Sequence, residues 1–552
     1  MLRLTSLCLV LVASIAGDAS QTLPARDAAA TPPGSGTIRG RVVAAATGRP
    51  LHRVRLTLNT QLPNPPSAVT DTRGMFEIER VPAGAYSISA VRSGYLTIQY
   101  GQRRPREAGR TIEIRAGETI EGVEIAMFRG GALAGRISDE AGHPAPGVRV
   151  EAIEHRYLRG RRVAVAGRIA TTNDAGEFRL SGLDPGVYQI RASTSEVWEG
   201  DDGKETFVHA VTWYPGVRET DAPQTISVGV GQEVADLEFR LIAGRAARVT
   251  GVIEDANGTA LAGQQINMDH ITRTIGGALM SAGFGGRAKS DESGRFEVPK
   301  LAAGEYMVYA GTDVDRAAVQ AILRDGELKH VVLTPRKPTV VAGTIVSDDE
   351  VRPSFAATRI RIVPIQVDAE SVLPVWGAPD DRTTISANWT FRLSNLDGQY
   401  LFRLAGLPDG WMLKNVTQGG RDITETPIAV ARGTPEVKDL QLVISRKGAT
   451  VSGEVRNASG AAVPDATVVV FPENRALWGH LSRFVKAVRP DDKGRFAVSA
   501  LPAGVYRVAA RDFVIEGQWE DAEFLELLSR DATRLELAEA TEATVTLTVK
   551  TQ

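Results

Sequence analysis

The chain contains almost no cysteine: Cys8 is the only one in 552 residues. It lies inside an apolar N-terminal segment, whereas a lipid-anchored protein would carry its cysteine directly after such a segment. The rest of the chain therefore has no disulfide and no thiol nucleophile. Its stability is expected to come from packing alone.

An excess of charge of one sign is also lacking, because 64 Lys and Arg residues stand against 66 Asp and Glu residues. A chain this neutral has no general electrostatic attraction for nucleic acid or for an anionic membrane surface. Two short basic runs are local exceptions, and both are predicted to be solvated loops. They are Gln102–Arg106 and Arg159–Arg162.

Catalytic and metal-binding patterns are missing as well. None of the seven histidines lies in a His-Glu-x-x-His zinc motif, and no Gly-x-Ser-x-Gly nucleophile elbow occurs. The glycine-rich stretch from Gly276 to Gly286 lacks the Lys-Ser/Thr pair of a phosphate loop and is predicted to connect two strands. The sequence thus predicts a protein that is not an enzyme, with no metal and no cofactor.

Only one long hydrophobic run occurs, from Leu4 to Ala16, after the positive charge of Arg3. It is too short to span a bilayer, and its small terminal residues are typical of a signal-peptide cleavage site. We expect residues 1–16 to be a signal peptide and residues 17–36, rich in Ala, Pro, Thr and Gly, to be a linker. The mature protein is expected to have no membrane span and to be periplasmic or secreted.

What the sequence does contain is one short pattern that returns five times. An Asp-x-x-Gly-x-Phe turn is followed, seven residues after its Gly, by Leu-Pro-Ala-Gly-x-Tyr or a near variant. Four copies are clear, with Asn173 replacing the Asp in the second. Their Gly, Phe, Gly and Tyr residues are Gly74, Phe76, Gly84 and Tyr86; Gly176, Phe178, Gly186 and Tyr188; Gly294, Phe296, Gly304 and Tyr306; and Gly494, Phe496, Gly504 and Tyr506. A degraded fourth copy is assigned to Asp397, Tyr400, Phe402, Gly410 and Trp411.

Each copy opens with Gly-x-Val or Gly-x-Ile, at Gly40, Gly135, Gly251, Gly343 and Gly453. The spacings of 95, 116, 92 and 110 residues are those of small domains rather than solenoid turns. The predicted domains are residues 37–129, 130–245, 246–337, 338–447 and 448–552. They are expected to follow one another like beads on a string, with few contacts between them.

Within each domain apolar and polar residues alternate, as in Val54–Leu58 and Tyr86–Ala90. This alternation is typical of strands with one buried face. The predicted fold class is all-β, with five tandem antiparallel β-sandwiches of about seven strands each. One short helix is predicted near the C-terminus, where Asp521 precedes Phe524, Leu525 and Leu528 at helical spacing.

The repeated turn has a structural and a functional interpretation. In the structural one, the Asp or Asn accepts hydrogen bonds from the following backbone, the Gly is left-handed, and the Phe points into the core. In the functional one, the Asp binds calcium. Each turn offers one or two carboxylates, whereas an EF-hand-type loop needs several oxygen ligands. The structural interpretation is therefore favoured.

The order of these motifs resembles the carboxypeptidase regulatory-like domain over nearly the whole mature chain. Longer segments resemble secreted bacterial proteins with several such domains, namely Gln99–Pro105, Gly410–Lys414, Val470–Pro472 and Glu523–Leu525. The resemblance implies a transthyretin-like sandwich, which is also classed with carbohydrate-binding-like folds, and it implies no activity. Zinc carboxypeptidases that carry this domain use His-x-x-Glu, and no histidine here is followed by that Glu.

Tryptophans are the candidate binding residues, because Trp and Tyr faces flanked by carboxylates or Arg bind sugars. Trp213 and Tyr214 lie in a Pro-Gly loop of the second domain, and at least one of two such neighbours is expected at the surface. The nearby residues that could supply hydrogen bonds are Asp201, Asp202 and Arg218. Elsewhere the candidates are Trp198, Trp376, Trp389, Trp411, Trp478 and Trp519, each of which could instead cover the end of its own core.

Two functions remain open. In the first, the chain is a non-catalytic secreted structural or interaction protein that presents an array of sandwiches. In the second, one or more sandwiches bind carbohydrate through exposed Trp or Tyr. The expected partners are accordingly a polysaccharide or a cell-surface protein, and not nucleic acid.

Overall fold

A computed structural model of the chain describes residues 36–551, except 60–63, 159, 202, 274–278, 312–314, 338, 350, 352, 368–382 and 432. The predicted signal peptide lies outside the described residues, as does the predicted linker apart from Gly36. In the described part of the chain, no helix is long and apolar enough to cross a membrane.

The strands form five groups, each with its own hydrophobic core, which we call sandwiches 1 to 5. Sandwich 1 contains β1 (Gly36–Ala44), β2 (Arg55–Asn59), β3 (Ser67–Val69), β4 (Met75–Val81), β5 (Gly84–Val91), β6 (Ile98–Gln99), β7 (Ile112–Ile114) and β8 (Thr119–Met127). Sandwich 2 contains β9 (Gly131–Ser138), β10 (Arg149–Leu158), β11 (Arg161–Thr171), β12 (Glu177–Leu183), β13 (Gly186–Ser193), β14 (Val197–Glu199), β15 (Thr206–Ala210), β16 (Thr212–Trp213), β17 (Ile226–Val228), β18 (Glu233–Arg240) and β19 (Ile242–Arg245).

The remaining three groups follow in chain order. Sandwich 3 contains β20 (Ala247–Ile253), β21 (Gln265–Arg273), β22 (Leu279–Lys289), β23 (Arg295–Leu301), β24 (Gly304–Gly311), β25 (Arg316–Leu323) and β26 (Leu328–Leu333). Sandwich 4 contains β27 (Thr339–Ser347), β28 (Arg361–Gln366), β29 (Thr383–Ile385), β30 (Thr390–Leu396), β31 (Gly398–Ala405), β32 (Met412–Gln418), β33 (Arg421–Asp422), β34 (Ile428–Val430) and β35 (Val437–Ser445). Sandwich 5 contains β36 (Ala449–Arg456), β37 (Thr467–Pro472), β38 (Lys486–Val488), β39 (Arg495–Leu501), β40 (Gly504–Arg511), the helix α1 (Ala522–Ser529), β41 (Thr533–Leu537) and β42 (Glu542–Thr548).

Two main sheets enclose each core. One sheet contains the first and last strands, in the order β23-β20-β26 in sandwich 3 and β39-β36-β42 in sandwich 5. The other contains the strand that carries the repeated tyrosine, in the orders β22-β21-β24-β25 and β38-β37-β40-β41. The predicted all-β fold class with tandem sandwiches is confirmed.

The strand arrangement departs from the prediction in two ways. The first strand of every sandwich runs parallel to the last strand of its own sheet, which is β18 in sandwich 2, so the chain leaves that sheet at the end opposite its entry. Within the described ranges, sandwiches 3 and 5 have the predicted seven strands. Sandwich 1 has eight strands, sandwich 2 has eleven and sandwich 4 has nine. Insertions with short strands such as β14 account for the excess. Gly285 and Gly286, predicted to lie in a loop, belong to β22.

The repeated phenylalanine packs in the core of its sandwich, and a glycine makes room for it. Phe296 and Phe496 are 5% and 6% exposed. Phe296 pairs with Gly251 on the neighbouring strand, where an added Cβ would lie 2.5 Å from the Phe296 ring and 2.4 Å from the carbonyl oxygen of Val331. The Gly of each Gly-x-Val motif is therefore required by the close approach of the neighbouring backbone, to which the ring adds at Gly40, Gly251, Gly343 and Gly453.

The repeated tyrosine closes the turn that precedes it. Tyr306 is 3% exposed, and its hydroxyl donates to the backbone oxygen of Ala302 over 2.9 Å. Tyr506 makes the same bond to Pro502 over 2.7 Å. A buried phenol needs such a partner, so the turn supplies the acceptor and the hydroxyl holds the turn in place.

The acidic residue of the repeated turn is used by the backbone. Asp291 Oδ1 accepts from the amides of Ser293 and Arg295, both over 2.8 Å. Asn173 makes the equivalent bonds in sandwich 2. Gly294 is left-handed, with φ of 73°. These contacts are those of the structural interpretation of the turn.

The fourth copy of the repeat was assigned to the wrong residues. In the other sandwiches the Phe pairs with the Gly of Gly-x-Val, and in sandwich 4 the residue paired with Gly343 is Phe391, not Phe402. Trp389 stands in the place of the turn glycine, with φ of 68°. Tyr400 is the closing tyrosine, because its hydroxyl donates to the backbone oxygen of Asp397 over 3.2 Å.

The predicted helix is present as α1, and it packs on its own sandwich. The side chain of Asp521 accepts from the amide of Phe524 over 2.9 Å and caps the helix. Phe524, Leu525 and Leu528 are buried in a second core of sandwich 5. This prediction is confirmed.

Candidate functional site

The two leading candidate residues lie at the junction of sandwiches 2 and 3. Trp213 ends the short strand β16, which pairs with β13. The Tyr214 ring packs on the core of sandwich 2, edge-on to Phe239 at 5.8 Å. Trp213 is not part of that core, yet it is only 4% exposed.

Of the two rings, Trp213 is therefore buried, and Tyr214 is partly exposed. Trp213 and Tyr214 do take different environments, as neighbours in an extended segment should. Trp213 is nevertheless covered, because residues of sandwich 3 lie beside this loop. Arg218, four residues past Tyr214, reaches across the junction and bonds Asp325 over 2.8 Å.

Trp213 and Arg218 line a cavity of about 490 Å³ between the two sandwiches. Sandwich 3 contributes His270, Ile271, Gly304, Glu305 and Leu323 among other residues. The Trp213 Nε1 is buried and has no hydrogen-bond partner among the described residues. Most of the wall is apolar, with a few polar groups at its edge, which is the usual character of a small-molecule pocket.

The electrostatics of the junction are set by Arg191. Its Nε donates to the buried Glu151 carboxylate over 2.8 Å, and its guanidinium lies 5.8 Å from the Trp213 ring centre. Burial, with a smaller contribution from the Arg191 charge, lowers the pKa of His270 to about 4. His270 is therefore neutral at physiological pH and packs edge-on to Tyr306 at 5.1 Å.

The other candidate residues are not brought into this cavity. Asp201 is exposed in the turn between β14 and β15, and Asp202 lies outside the described residues. Trp376 also lies outside them. Of the described tryptophans, Trp389 is buried in the core of sandwich 4. Trp198, Trp411, Trp478 and Trp519 are partly buried, and none presents a fully exposed ring.

A second feature was missed by the sequence analysis: the segment from Gln99 to Arg110 of sandwich 1, which we call the arginine loop. Its shape is fixed internally. The Glu107 carboxylate accepts from the amides of Arg103 and Arg104 over 2.8 and 3.3 Å, and Gln102 Oε1 accepts from the amide of Gln99 over 2.6 Å. The loop is preorganised rather than solvated.

The arginine loop docks on sandwich 5. Arg489 of sandwich 5 lies 3.4 Å from Glu107, and the two side chains are only 5% and 2% exposed. The same guanidinium donates to the backbone oxygens of Gly101 and Ala108 over 2.7 and 3.0 Å. In return Arg110 bonds Asp492 over 3.1 Å.

The loop also reaches sandwich 2. Arg106 forms an ion pair with Glu154, which is almost fully buried, and donates to the Tyr188 hydroxyl over 3.3 Å. Asp184 lies 3.9 Å from the same guanidinium. Burial raises the pKa of Asp184 and outweighs the opposing charges of Arg106 and Arg156. The arginine loop thus joins three sandwiches.

Two expectations are corrected by these contacts. The basic run Gln102–Arg106 is an interface rather than a solvated loop. In the second run, Gly160 also lies against sandwich 5, where an added Cβ would be 2.8 Å from the carbonyl oxygen of Glu520. Sandwiches 4 and 5 are joined as well, by Arg483 and Glu425 over 2.9 Å. The sandwiches are therefore not beads with few contacts between them.

A chemical signal for the loop did exist in the sequence. Arg103, Arg104, Arg106 and Arg110 surround a single carboxylate, Glu107, within one short segment. Such an excess of guanidinium groups needs acceptors elsewhere if the loop is buried. Sequence alone cannot say that an acceptor lies 382 positions away, as Asp492 does from Arg110.

In the residues that the structure describes, no group of three or more His, Cys, Asp or Glu side chains converges on a point where a metal ion could bind.

Comparison with known proteins identifies one family. The carboxypeptidase regulatory-like domain matches residues 37–127, 132–241 and 450–550, together more than half of the chain. No curated protein matches the sequence.

Similar solved structures include three bacterial proteins. The TIE protein of Bacillus anthracis is 14% identical over 55% of this chain, which spans 50% of that protein, with a TM-score of 0.16. A streptococcal ancillary pilin is 14% identical over 55% of this chain and 99% of its own, with a TM-score of 0.20. BcpA, the major pilin subunit of Bacillus cereus, is 10% identical over 55% of this chain and 99% of its own, with a TM-score of 0.15.

Proposed function

The chain belongs to the carboxypeptidase regulatory-like domain family, and from this premise we propose that it is a non-catalytic structural or interaction protein. Its five sandwiches form one fixed body that presents surfaces to a partner. The observation that carries the proposal is the buried ion pair of Glu107 and Arg489, which ties the first sandwich to the last.

The burial of this pair explains why the body is fixed. Two charges removed from water are costly unless each is paired and hydrogen-bonded. Here Glu107 also accepts two backbone amides, and Arg489 donates to two backbone carbonyls of the loop. Separating the sandwiches would break the ion pair and both bonds donated by Arg489 together, which favours one relative orientation.

The domain bounds proposed for this body are residues 37–129, 130–245, 246–337, 338–447 and 448–552. Separate hydrophobic cores support them. We further propose export, with residues 1–16 removed as a signal peptide, so that the protein acts in the periplasm or outside the cell. N-terminal sequencing of the exported protein is expected to begin near Gly17; retention of Met1 would contradict it.

Small-angle X-ray scattering on the mature chain tests the structural role. We expect a compact particle whose scattering matches the joined sandwiches. A flexible, extended string would contradict the proposal. In parallel, the protein should release no C-terminal residues from peptides with or without added zinc, since no histidine has the His-x-x-Glu partner. Turnover that a chelator abolishes would overturn the non-catalytic assignment.

A second candidate function is carbohydrate binding in the second sandwich, with Trp213 and Arg218 as the binding residues. It is supported by the cavity at the junction of sandwiches 2 and 3, where the buried Trp213 Nε1 lacks a partner among the described residues. Asp201 is not among the residues that line the cavity, and Tyr214 would hold the loop by packing on the core of sandwich 2.

Tryptophan fluorescence tests this candidate. Titration with a panel of soluble neutral polysaccharides is expected to change the emission of the wild-type chain, and Trp213→Ala should abolish the change. Trp198→Phe is the matched control, because Trp198 belongs to the same sandwich but packs against Phe207 and His209. A response that survives Trp213→Ala would contradict this site.

A further inference from the structure

The surface of sandwich 5 that receives the arginine loop is built to hold a separate piece of protein. The loop and its acceptors are far apart in sequence, with Arg110 and Asp492 separated by 382 positions. Neither Glu107 nor Arg489 belongs to a hydrophobic core. Sandwich 1 has its own core, and sandwich 5 has two. The two partners meet through surfaces alone.

The two surfaces are complementary in charge. Arg103 and Arg110 of the loop both pair with Asp465 of sandwich 5, and Arg110 also reaches Asp492. The Arg104 guanidinium lies 5.4 Å from the Phe513 ring centre and 3.9 Å from Asp512. Among the described residues, basic groups lie on the loop and acidic groups on sandwich 5, with Glu107 and Arg489 as the single reversed pair.

Backbone contacts between the loop and sandwich 5 accompany these charged contacts. Glu107 forms an antiparallel bridge with Ile515, and the amide of Glu516 donates to the carbonyl oxygen of Arg106 over 3.0 Å. Such edge contacts fix the orientation of the loop, as in recognition by addition of a strand. The loop therefore docks in one register.

We propose that this contact is exchangeable between copies: the arginine loop of one chain docks on sandwich 5 of a second chain, and the chain assembles through it. The occupant is a second copy because this chain itself carries both surfaces and shows how they fit. The inference rests on the proposed structural function and names its partner. Exchange of an identical element between chains needs no new contact, only higher concentration than the intramolecular arrangement provides.

Substitutions that reverse the charge of Glu107 or of Arg489 test whether the arginine loop is exchanged between chains. The E107R variant would bring two positive charges together at this contact, and the R489E variant would bring two negative charges together, so neither chain can close on itself. In a mixture, the loop of each chain meets a sandwich 5 on the other chain, and both pairings bring opposite charges together. One is the unmodified pair, between the loop of the R489E chain and sandwich 5 of the E107R chain, and the other is the charge-reversed pair of the two substituted positions. We expect each variant alone to be a monomer by light scattering, and the equimolar mixture to show twice that mass.

The chain with both E107R and R489E is the matched control. It carries the same two substitutions but restores opposite charges within one chain, so it should stay monomeric and as compact as the wild type. Circular dichroism should show the same strand content in all variants, because no core residue is changed. A mixture that remains monomeric beside a compact double variant would overturn the proposal, and so would dimers of either single variant alone.

If the double variant is not compact, the two substituted side chains do not fit the contact. Exchange is then tested on the wild-type chain. High salt screens the exposed ion pairs of Arg103 and Arg104 and so favours opening of the contact, and concentrating the protein before the salt is removed lets chains close on one another. A stable dimer fraction supports the exchange. A sample that contains only monomer overturns it. Compact wild-type monomer without exchange would leave the proposed structural function intact, whereas an extended wild-type chain would contradict that function itself.

Discussion

The repeated residues are turn and core residues, and each has a physical partner. Phe496 is 6% exposed in sandwich 5 and pairs with Gly453 on the neighbouring strand. An added Cβ on Gly453 would lie 1.8 Å from the carbonyl oxygen of Val545 and 3.2 Å from the Phe496 ring. Ring and glycine form one packing unit, so the phenylalanine cannot be shortened without leaving a void.

Phe496→Ala is predicted to destabilise sandwich 5 by about 3–5 kcal/mol, because it removes a buried ring and leaves a cavity. Urea unfolding of a fragment from residues 449 to 552, whose strand content is first checked by circular dichroism, measures the change. Leu527→Ala is the control, since Leu527 is 45% exposed on α1 and its truncation leaves no cavity. Equal midpoints for both variants would mean that Phe496 is not in the core.

His270 is predicted to make sandwich 3 sensitive to acid. Burial, together with the Arg191 charge, lowers its folded pKa to about 4, below the unfolded value of about 6.5. The unfolded chain thus binds the proton more readily, so stability falls as pH falls from about 6.5 to about 4. His270→Gln should make the melting temperature of sandwich 3 less dependent on pH over that window. His330→Gln, an exposed histidine of the same sandwich, should not.

At the scale of elements, the helix α1 shows how far local signals extend. The sequence predicted its start at Asp521 and its buried face, because a capping residue and apolar spacing are both local. Asp521 accepts from the Phe524 amide, and the apolar face meets Val469 and Phe471 of the sheet.

Asp521→Ala is predicted to cost about 1 kcal/mol, because the amide of Phe524 loses its acceptor at the first turn. Thermal unfolding of the same 449–552 fragment measures the change. Asp521→Asn should retain most of the stability, since its amide oxygen can still accept. Glu523→Ala, an exposed change in the same first turn, should leave the cap intact; a loss equal to that of Asp521→Ala would contradict the capping role.

The repeat itself was predicted for four sandwiches and misplaced in sandwich 4, for a physical reason. The sequence pattern relied on glycine at the left-handed turn position, where other residues are rare. Sandwich 4 places Trp389 there, and the surrounding core of Phe355 and Trp411 rings accommodates it. The pairing of Gly343 with Phe391 identifies the true copy. A local sequence pattern does not predict which residues of two strands pair.

The candidate site was predicted less well than the fold, because it depends on contacts between sandwiches. The sequence proposed Trp213 and Arg218, which both line the cavity, but not His270 and Glu305, which line it from the next sandwich. Trp213 is covered for the same reason, since residues of sandwich 3 lie beside its loop. Local patterns describe one sandwich at a time, and the cavity belongs to two.

At the scale of the whole molecule, the contacts between sandwiches decide the shape. The chain was expected to be a string of separate domains, yet sandwich 5 contacts sandwiches 1, 2 and 4. These contacts are mostly ionic and lie outside the hydrophobic cores. The molecule should therefore lose its compact shape more easily than its sandwiches lose their folds.

Arg489→Ala is predicted to open the molecule without unfolding it. Removing one partner of a buried pair leaves the other charge without compensation, at a cost of about 3–5 kcal/mol if nothing moves. Here Glu107 can escape that cost, because the loop and sandwich 5 can part while their cores stay intact. The radius of gyration from small-angle scattering should increase, while the circular dichroism spectrum should match the wild type.

Arg495→Ala is the matched control for this opening. Arg495 also pairs with an aspartate of sandwich 5, Asp491, but that pair is exposed and both of its members belong to sandwich 5. An exposed pair contributes little, so the control should keep the wild-type radius. Raising the salt concentration should move the wild type part of the way towards the open dimensions, because salt screens the exposed ion pairs of the loop more than the buried pair of Glu107 and Arg489. It should leave Arg489→Ala unchanged, because that variant is already open. A compact Arg489→Ala chain would show that other contacts hold sandwiches 1 and 5 together.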